Sequence, residues 1–334
     1  MIDRKNLHAA ALFSGGLDSM LSVKLMLDLG YRVTPIFFET PFFGAEKAEK
    51  AAEELGLKLL VHDITESHLQ MVKNPRYGYG KYMNPCIDCH ALMFQKAGEL
   101  MEAYGFDFLI SGEVLGQRPM SQRRDALNAV SKLSSVKELI VRPLSQKLLT
   151  DTKPISEGWV DKDELLDIQG RGRQRQLEMA QQYGFQYYST PGGGCLLTDK
   201  SFSIRLRDLM DNEMMELDSI ELLKVGRHFR INEDIKIIIG KNKFDNKRIA
   251  ELIRDKTILY VKHKPGPLGV LDVKREPTED ELNLAASILV RYVTGYHRGD
   301  KVIVSIKNEA NPHDIEAVRL SADECNKYMI RIKE

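Results

Sequence analysis

The chain has few cysteines, a single tryptophan and no long apolar run. Four cysteines among 334 residues are too few for a disulfide framework, so we expect reduced thiols. No apolar stretch approaches the roughly 20 residues of a membrane-spanning helix, and the polar first residues lack the apolar core of a signal peptide. We therefore expect a cytoplasmic protein without membrane contact.

Neither sign of charge is in excess over the whole chain, because 48 basic side chains balance 48 acidic ones. The balance is uneven along the sequence, since residues 224–275 hold 14 Lys and Arg against 6 Asp and Glu. A basic second half is typical of contact with nucleic acid, although a solvated charged face would explain the same excess.

The first half alternates short apolar runs with amphipathic segments. Strands are predicted at residues 9–13, 31–38, 57–62, 106–110 and 138–142, and helices at residues 19–29, 44–55, 89–104 and 164–184. Repeated strand–helix units predict an α/β fold with a doubly wound parallel sheet, covered by helices on both faces. Ligands of such sheets bind at the carboxyl ends of the strands.

The second half has a different order of elements. Strands are predicted at residues 235–239, 257–261, 269–273 and 301–306, with one helix at residues 279–292. This order predicts a smaller α+β domain. The expected organisation is a first domain at residues 1–200, a helical connector at 201–223 and a second domain at 224–334.

A polar, glycine-rich loop lies between the first predicted strand and helix, with the sequence Ser14-Gly15-Gly16-Leu17-Asp18-Ser19. Glycines let backbone N–H groups approach a phosphate, and the helix dipole favours negative charge at the helix start. The loop is not a Walker A motif, because no Gly-Lys-Ser/Thr follows it. We interpret it as a phosphate cradle rather than as an ordinary turn.

Three of the four cysteines form a second pattern, in which a Cys-x-x-Cys pair, Cys86 and Cys89, is followed far downstream by Cys195. The pair brings two thiolates within reach of one metal or cluster. Three interpretations stay open: a 4Fe-4S cluster on the three thiolates, a persulfide or disulfide relay, and a zinc site completed by His90 or another histidine. We interpret Cys325 as a bystander.

Together these motifs resemble known families. The first loop matches the Ser-Gly-Gly-x-Asp-Ser signature of the PP-loop ATP pyrophosphatases. The segments similar to ThiI-type 4-thiouridine synthetases are Ser111-Gly112-Glu113-Val114-Leu115-Gly116-Gln117, Ser121-Gln122 and Arg142-Pro143-Leu144. The segment that begins Asn84-Pro85-Cys86 resembles the MnmA-type 2-thiouridylases. Over about residues 6–200 the chain resembles the ATP-dependent tRNA sulfurtransferases, and its three cysteines are the arrangement of thiolases that use a 4Fe-4S cluster.

The resemblance implies an enzyme that adenylylates a uridine carbonyl of tRNA and replaces its oxygen with sulfur delivered through the cluster, with release of AMP and pyrophosphate. It implies ATP, Mg²⁺ and a 4Fe-4S cluster as cofactors. The implied partners are tRNA and a sulfur donor, either sulfide or a carrier protein, and an oligomer is compatible with it. The implied catalytic residues are Asp18, Cys86, Cys89 and Cys195, and the three cysteines are also the implied metal ligands. The implied nucleotide contacts are Ser14, Gly15, Gly16, Asp18, Ser19, Phe38, Gly112 and Gln117.

The second half resembles the NFACT-R RNA-binding domain. The matching segments are Val225-Gly226-Arg227, Ile239-Gly240-Lys241-Asn242 and Pro265-Gly266-Pro267. The resemblance implies phosphate contacts from Lys241, Lys243, Lys247 and Arg248. Separately, the basic run with Arg171, Arg173 and Arg175 is expected to bind the tRNA backbone near the cluster. Such contacts go to phosphates and read little sequence.

Three other functions remain compatible with the sequence. One is a persulfide tRNA thiolase without a cluster. Another is a PP-loop ligase that acts on a small molecule. The third is an RNA-binding protein whose PP-loop is inactive.

Overall fold

The computed structural model describes residues 3–188, 194–253, 256–297, 299–307 and 312–331. The chain divides into two compact units, Met1–Thr198 and Asp199–Glu334. No helix in these ranges is long and apolar enough to cross a membrane.

The first unit contains a sheet of parallel strands with helices between them. Its strands are β1 (His8–Leu12), β2 (Arg32–Glu39), β3 (Leu60–Asp63), β4 (Phe108–Ser111) and β5 (Ile140–Val141). Its helices are α1 (Leu17–Asp28), α2 (Glu46–Glu54), α3 (Thr65–Lys73), α4 (Cys86–Glu99), α5 (Met101–Tyr104), α6 (Arg124–Leu133), α7 (Lys153–Ser156) and α8 (Gln174–Gln182). The strand order is β3-β2-β1-β4-β5, and every pair is parallel.

The central strand, β1, is buried on both faces. Ala9 and Ala11 pack in one apolar cluster with Met20 of α1, whereas Ala10 packs in another with Phe94 of α4. Successive side chains of a strand point to opposite faces, so this alternation requires helices on both sides of the sheet. The predicted doubly wound α/β class is confirmed.

The order of the strands creates a switch point beside β1, which pairs with β2 on one side and with β4 on the other. Ligands of doubly wound sheets bind at such a point, outside the carboxyl ends of the strands. The loops that follow β1 and β4 meet there.

Several boundaries in the first unit differ from the prediction. The helix expected from residue 89 begins at Cys86, so that both cysteines of the pair lie in its first turn. The helix expected at residues 164–184 is reduced to α8, because Gly170 has φ +85° and the chain before it pairs with Leu115 through Gln169. The fifth strand shortens to β5. Helices α3 and α6 were not predicted.

The second unit is an α+β domain, as predicted. Its strands are β6 (Arg227–Asn232), β7 (Ile235–Ile239), β8 (Ile258–Val261), β9 (Gly269–Val273), β10 (Lys301–Lys307) and β11 (His313–Val318). Its helices are α9 (Lys200–Asp211), α10 (Leu217–Leu222), α11 (Lys243–Leu252), α12 (Glu279–Val290) and α13 (Ala322–Asn326). The strands form an antiparallel sheet in the order β11-β10-β8-β9-β7-β6, and α12 packs Ala285, Ala286 and Leu289 into its core.

The expected connector at residues 201–223 forms α9 and α10. Strands β6 and β11 and helix α11 were not predicted. Charged side chains such as Arg227 and Arg230 interrupt the apolar pattern of β6, which forms a strand by pairing with β7.

Candidate active site

The loop after β1 is shaped by two glycines. Gly15 has φ +70°, in the left-handed region, and a Cβ there would lie 2.5 Å from the carbonyl oxygen of Lys47. Gly16 is the N-cap residue of α1, and the Ser19 hydroxyl donates to its carbonyl oxygen at 2.7 Å. The first N–H groups of a helix have no partner inside it, so the loop and the start of α1 favour an anion.

Gly112, the first residue after β4, lies directly against this helix start. A Cβ on Gly112 would lie 2.4 Å from the backbone nitrogen of Ser19 and 2.5 Å from the carbonyl carbon of Asp18. Glycine is needed here because backbone rather than a flexible side chain occupies the space. The ends of β1 and β4 are thus in contact.

Asp18 lies in the first turn of α1 and is held by two other segments. The Gln117 amide donates from Nε2 to Asp18 Oδ2, and Nη2 of Arg173 lies 3.5 Å from Oδ1. Burial raises the pKa of the Asp18 carboxyl, and the charge of Arg173 and the Gln117 hydrogen bond oppose that rise. Gln117 Oε1 in turn accepts from Nε2 of the buried Gln176 at 2.7 Å. Gln176 was not singled out in the sequence, since no motif marks a lone glutamine on an amphipathic helix.

The other expected nucleotide residues differ in exposure. Ser14 is exposed at the loop, and its Oγ accepts from the Gly16 N–H at 3.4 Å. Phe38 is only 3% exposed, and its side chain belongs to the apolar cluster on the α4 face of the sheet. The Phe38 ring is therefore part of the core rather than of the open sheet edge.

The structure brings a polar side chain to each cysteine of the pair. Asn84 donates from Nδ2 to Cys86 Sγ at 3.3 Å, and Nε2 of the buried His68 lies 3.4 Å from Cys89 Sγ. Sequence reasoning missed His68, because only the fold brings α3 against α4.

Cys195 interacts electrostatically with the cysteines of the pair. Burial raises the pKa of the Cys89 thiol well above its ordinary value, and the neighbouring Cys195 and Cys86 raise it further. Burial also raises the pKa of Cys195 to about 12, with a contribution from Cys86. The next residue, Leu196, donates its N–H to the carbonyl oxygen of Phe42 at 3.1 Å. Such pKa values favour protonated thiols in the free site, and a metal would have to displace those protons.

The cysteines have the donor chemistry of an iron–sulfur cluster, which thiolate sulfurs bind and N–H contacts to sulfur tune. Among the described residues, no group of three or more His, Cys, Asp or Glu side chains is arranged to hold a metal ion. His90, the histidine named for zinc, has its Nδ1 2.8 Å from Oε1 of Glu113. The described residues thus form neither a three-cysteine metal site nor a histidine-completed zinc site, and they do not decide between the two.

Glu113 connects the two halves of the site. Its Oε2 accepts from Arg142 Nε at 2.9 Å, and both side chains are buried. Burial would raise the pKa of the Glu113 carboxyl, but Arg142 and His90 outweigh that effect and lower it to about 2. Gly112 thus contacts Ser19 of the glycine loop, and Glu113 contacts His90, the residue after Cys89.

The expected RNA-binding residues of the first unit have different surroundings. Arg171 is exposed, and Arg175 pairs with Asp167 at the surface. Arg173 is instead 20% exposed and faces Asp18. Its position at the glycine loop was not expected from the sequence.

In the second unit, Lys241, Lys243 and Lys247 are exposed at or near α11. Arg248 forms ion pairs with Glu221 and Glu251, so part of its hydrogen-bonding capacity is already used within the protein. Phe244, in the first turn of α11, is 71% exposed, more than the other exposed large apolar residues of the described chain. No sequence motif marks Phe244.

Two family models match the chain, each over one part. Residues 6–148 match the thiamine biosynthesis protein family, ThiI, and residues 226–329 match the RNA-binding domain of the NFACT proteins. Residues 6–148 are therefore similar to the ThiI family and residues 226–329 to the NFACT RNA-binding domain, and these parts are called the ThiI-type domain and the NFACT-type domain below. Both predicted resemblances are confirmed.

Curated relatives align with part of the chain. A tRNA-specific 2-thiouridylase MnmA of Treponema denticola is 30% identical over 115 residues, which are 30% of this chain and 31% of the relative. A probable tRNA sulfurtransferase of Methanosarcina acetivorans is 29% identical over 112 residues, 32% of this chain and 27% of the relative. The chain spans about a third of the length of these relatives.

Among solved structures, the U34-tRNA thiolase NcsA from Methanococcus maripaludis, with its 4Fe-4S cluster, aligns at 17% identity and a TM-score of 0.35. The alignment covers 66% of this chain and 71% of that one. A TM-score this low does not establish a shared fold.

Proposed function

We propose that this chain is an ATP-dependent tRNA sulfurtransferase, which adenylylates a uridine carbonyl and replaces its oxygen with sulfur. The observation that supports this most is the continuity between the two halves of the site. Gly112 lies against Ser19 of the glycine loop, and Glu113 contacts His90, the residue after Cys89. A nucleotide on the loop and a sulfur at the cysteines would therefore share one edge of the ThiI-type domain.

The phosphates of ATP lie on the loop in this proposal, on the backbone of Gly15 and Gly16 and the hydroxyls of Ser14 and Ser19. Asp18 holds Mg²⁺ or orients the loop, since a carboxylate oxygen suits that ion. Gln117 keeps the Asp18 carboxyl in place through the amide hydrogen bond described above.

The chemistry requires two displacements. The uridine carbonyl oxygen attacks the α-phosphorus of ATP, the bond to the bridging oxygen breaks, and pyrophosphate leaves. Sulfide, free or already released by a carrier protein, then attacks the ring carbon, AMP departs with the former carbonyl oxygen, and the sulfur proton moves to the ring nitrogen. Adenylylation is needed because a carbonyl oxygen is a poor leaving group.

Cys86, Cys89 and Cys195 are the residues that would hold a 4Fe-4S cluster, which, with three protein ligands, leaves one iron open to bind sulfur. Asn84 donates a hydrogen bond to the Cys86 sulfur, and Nε2 of His68 contacts the Cys89 sulfur. A cluster and a persulfide relay both need ionised thiolates, so the raised pKa values of Cys89 and Cys195 do not distinguish between them.

The NFACT-type domain supplies affinity for tRNA in this proposal. Lys241, Lys243 and Lys247 attract phosphates, and the exposed ring of Phe244 offers a face on which an unpaired base can stack. Arg171 and Arg175 add contacts to the RNA backbone from the ThiI-type domain.

The test is thiolation of tRNA by the anaerobically purified chain, with iron and sulfide measured alongside. We expect Cys86→Ala, Cys89→Ala and Cys195→Ala each to abolish thiolation and lower the iron content, while ATP binding stays within about twofold, since none of them lies on the glycine loop. Cys325→Ala, in the second unit, is the matched control and should keep both. Full thiolation by Cys195→Ala would contradict the cluster, and absence of AMP release by the unmodified chain with every tRNA tried would contradict the proposed reaction.

A further inference from the structure

Arg173 is placed at the glycine loop by the segment that precedes α8. The N–H of Gly170 donates to the carbonyl oxygen of Leu115 at 2.7 Å, which fastens this segment beside the one that carries Gln117. Arg173 then follows as the N-cap residue of α8, and its guanidinium reaches Asp18.

The Arg173 guanidinium has few hydrogen-bond partners among the described residues. Its one ion pair, among the described residues, is the 3.5 Å contact of Nη2 with Asp18 Oδ1, at the outer limit of a hydrogen bond. Its Nε atom is buried and has no hydrogen-bond partner in the described part of the chain. A guanidinium has five N–H donors in a planar fork, and burying one of them unpaired is costly.

Asp18 does not depend on Arg173 for its own position. Gln117 donates to the other oxygen of the carboxyl, and Gln176 holds the Gln117 amide at 2.7 Å. The Asp18 carboxyl is thus held in place by Gln117. The Arg173 guanidinium beside it has an N–H donor, Nε, without a partner in the described part of the chain. Both lie at the start of α1, where the backbone favours an anion.

We propose that Arg173 binds the polyphosphate of the nucleotide, as the ATP triphosphate before the reaction and as the pyrophosphate product after it. The inference rests on the proposed function and deepens it by naming a further residue of the same site. Phosphate oxygens match the planar fork of arginine, and the cation offsets the repulsion between the Asp18 carboxylate and the incoming phosphates. Arg173 therefore acts on the nucleotide and not on the tRNA backbone.

The neighbouring arginines provide matched controls. Arg175 is two residues away, half-exposed and paired with Asp167 at the surface. Arg171 is exposed as well. All three carry the same charge in the same basic run, but Arg173 alone among them contacts Asp18 in the described structure.

The experiment measures binding of Mg-ATP, pyrophosphate, AMP and tRNA to the full chain by calorimetry. We expect Arg173→Gln to weaken ATP and pyrophosphate binding by about tenfold or more, the usual effect of removing a charged hydrogen bond to phosphate, and to leave AMP and tRNA within about twofold. Arg173→Lys should restore part of the ATP affinity, because the charge remains. Arg175→Gln should bind ATP as the unmodified chain does.

An Arg173→Gln variant that keeps its ATP affinity but loses tRNA affinity would overturn the inference and assign Arg173 to the RNA. If that variant fails to fold, Arg173→Lys decides instead: reduced ATP affinity supports the inference and unchanged affinity overturns it. Failure of the proposed function is a separate result, since the unmodified chain would then release no AMP with any tRNA tried, whatever the ATP affinities of the variants.

Discussion

At the scale of single residues, the buried carboxylate of Glu113 links the end of β4 to α4, the helix that carries Cys89. Glu113 is bound by Arg142 and His90, and its pKa is lowered to about 2 although burial alone would raise it. Because the carboxyl is ionised more readily in the folded chain than in the unfolded one, its contribution to stability is complete above its ordinary pKa of 4.5 and is lost as the pH falls toward 2.

We expect Glu113→Gln to lower the free energy of unfolding of the first unit by about 3 kcal/mol at pH 7, since each unit of pKa shift corresponds to about 1.4 kcal/mol and the variant leaves Arg142 buried without its partner. The difference between variant and unmodified chain should shrink as the pH is lowered from 5 toward 3. Urea unfolding followed by fluorescence of Trp159, the single tryptophan, reports on this unit. Parallel stability curves over that pH range would show that the carboxylate is not the cause.

At the scale of elements, the candidate site exists because two strand ends approach more closely than side chains allow. The glycine loop follows β1 and Gly112 follows β4, and these strands are neighbours in the sheet. A Cβ on Gly112 would meet backbone atoms of α1, which cannot move aside without shifting the helix.

We expect Gly112→Ala to destabilise the first unit by about 1–3 kcal/mol, as overpacking does, and to weaken ATP binding by about tenfold as the start of α1 is displaced. Trp159 fluorescence and ATP calorimetry measure the two effects. Gly172→Ala is the control, because a Cβ there meets nothing within 4 Å. Equal ATP affinity of the two variants would mean that the contact of β4 with α1 does not shape the nucleotide site.

At the scale of the whole molecule, a chain with no net charge concentrates basic residues in its NFACT-type domain. The exposed lysines of α11 and the exposed ring of Phe244 occupy adjacent positions on this helix. Charge and stacking contribute to RNA affinity in different ways, since only the former depends on salt.

We expect the double variant Lys243→Ala, Lys247→Ala to reduce the slope of log affinity for tRNA against log salt by between about 0.7 and 0.9 for each lysine–phosphate pair that it removes. Lys262→Ala is the control, because Lys262 already pairs with Asp314. An unchanged slope in the double variant would place the RNA on another surface.

Phe244→Ala should instead lower the affinity for tRNA by about 1–3 kcal/mol at every salt concentration. The comparison is with Leu217→Ala, because Leu217 is another exposed apolar residue of this unit.

Much of the fold could be read from local patterns. Strands β7 and β9 have the bounds that their apolar runs predicted, because buried strands carry their signal in consecutive residues. Where the local pattern was ambiguous, the prediction failed. The basic run that ends in α8 reads as helix in composition, yet Gly170 adopts a positive φ and the segment forms a loop.

The sequence by itself determined the parallel α/β class, the glycine loop and the Cys-x-x-Cys pair, because each depends on residues adjacent along the chain. Only the tertiary structure decided that Gly112 touches Ser19, that His68 reaches Cys89 and that Arg173 faces Asp18. Arg173 and Asp18 are separated by 155 positions, and no local spacing encodes their approach. Such contacts follow from the order of strands in the sheet, and that order arises when the whole domain buries its apolar faces.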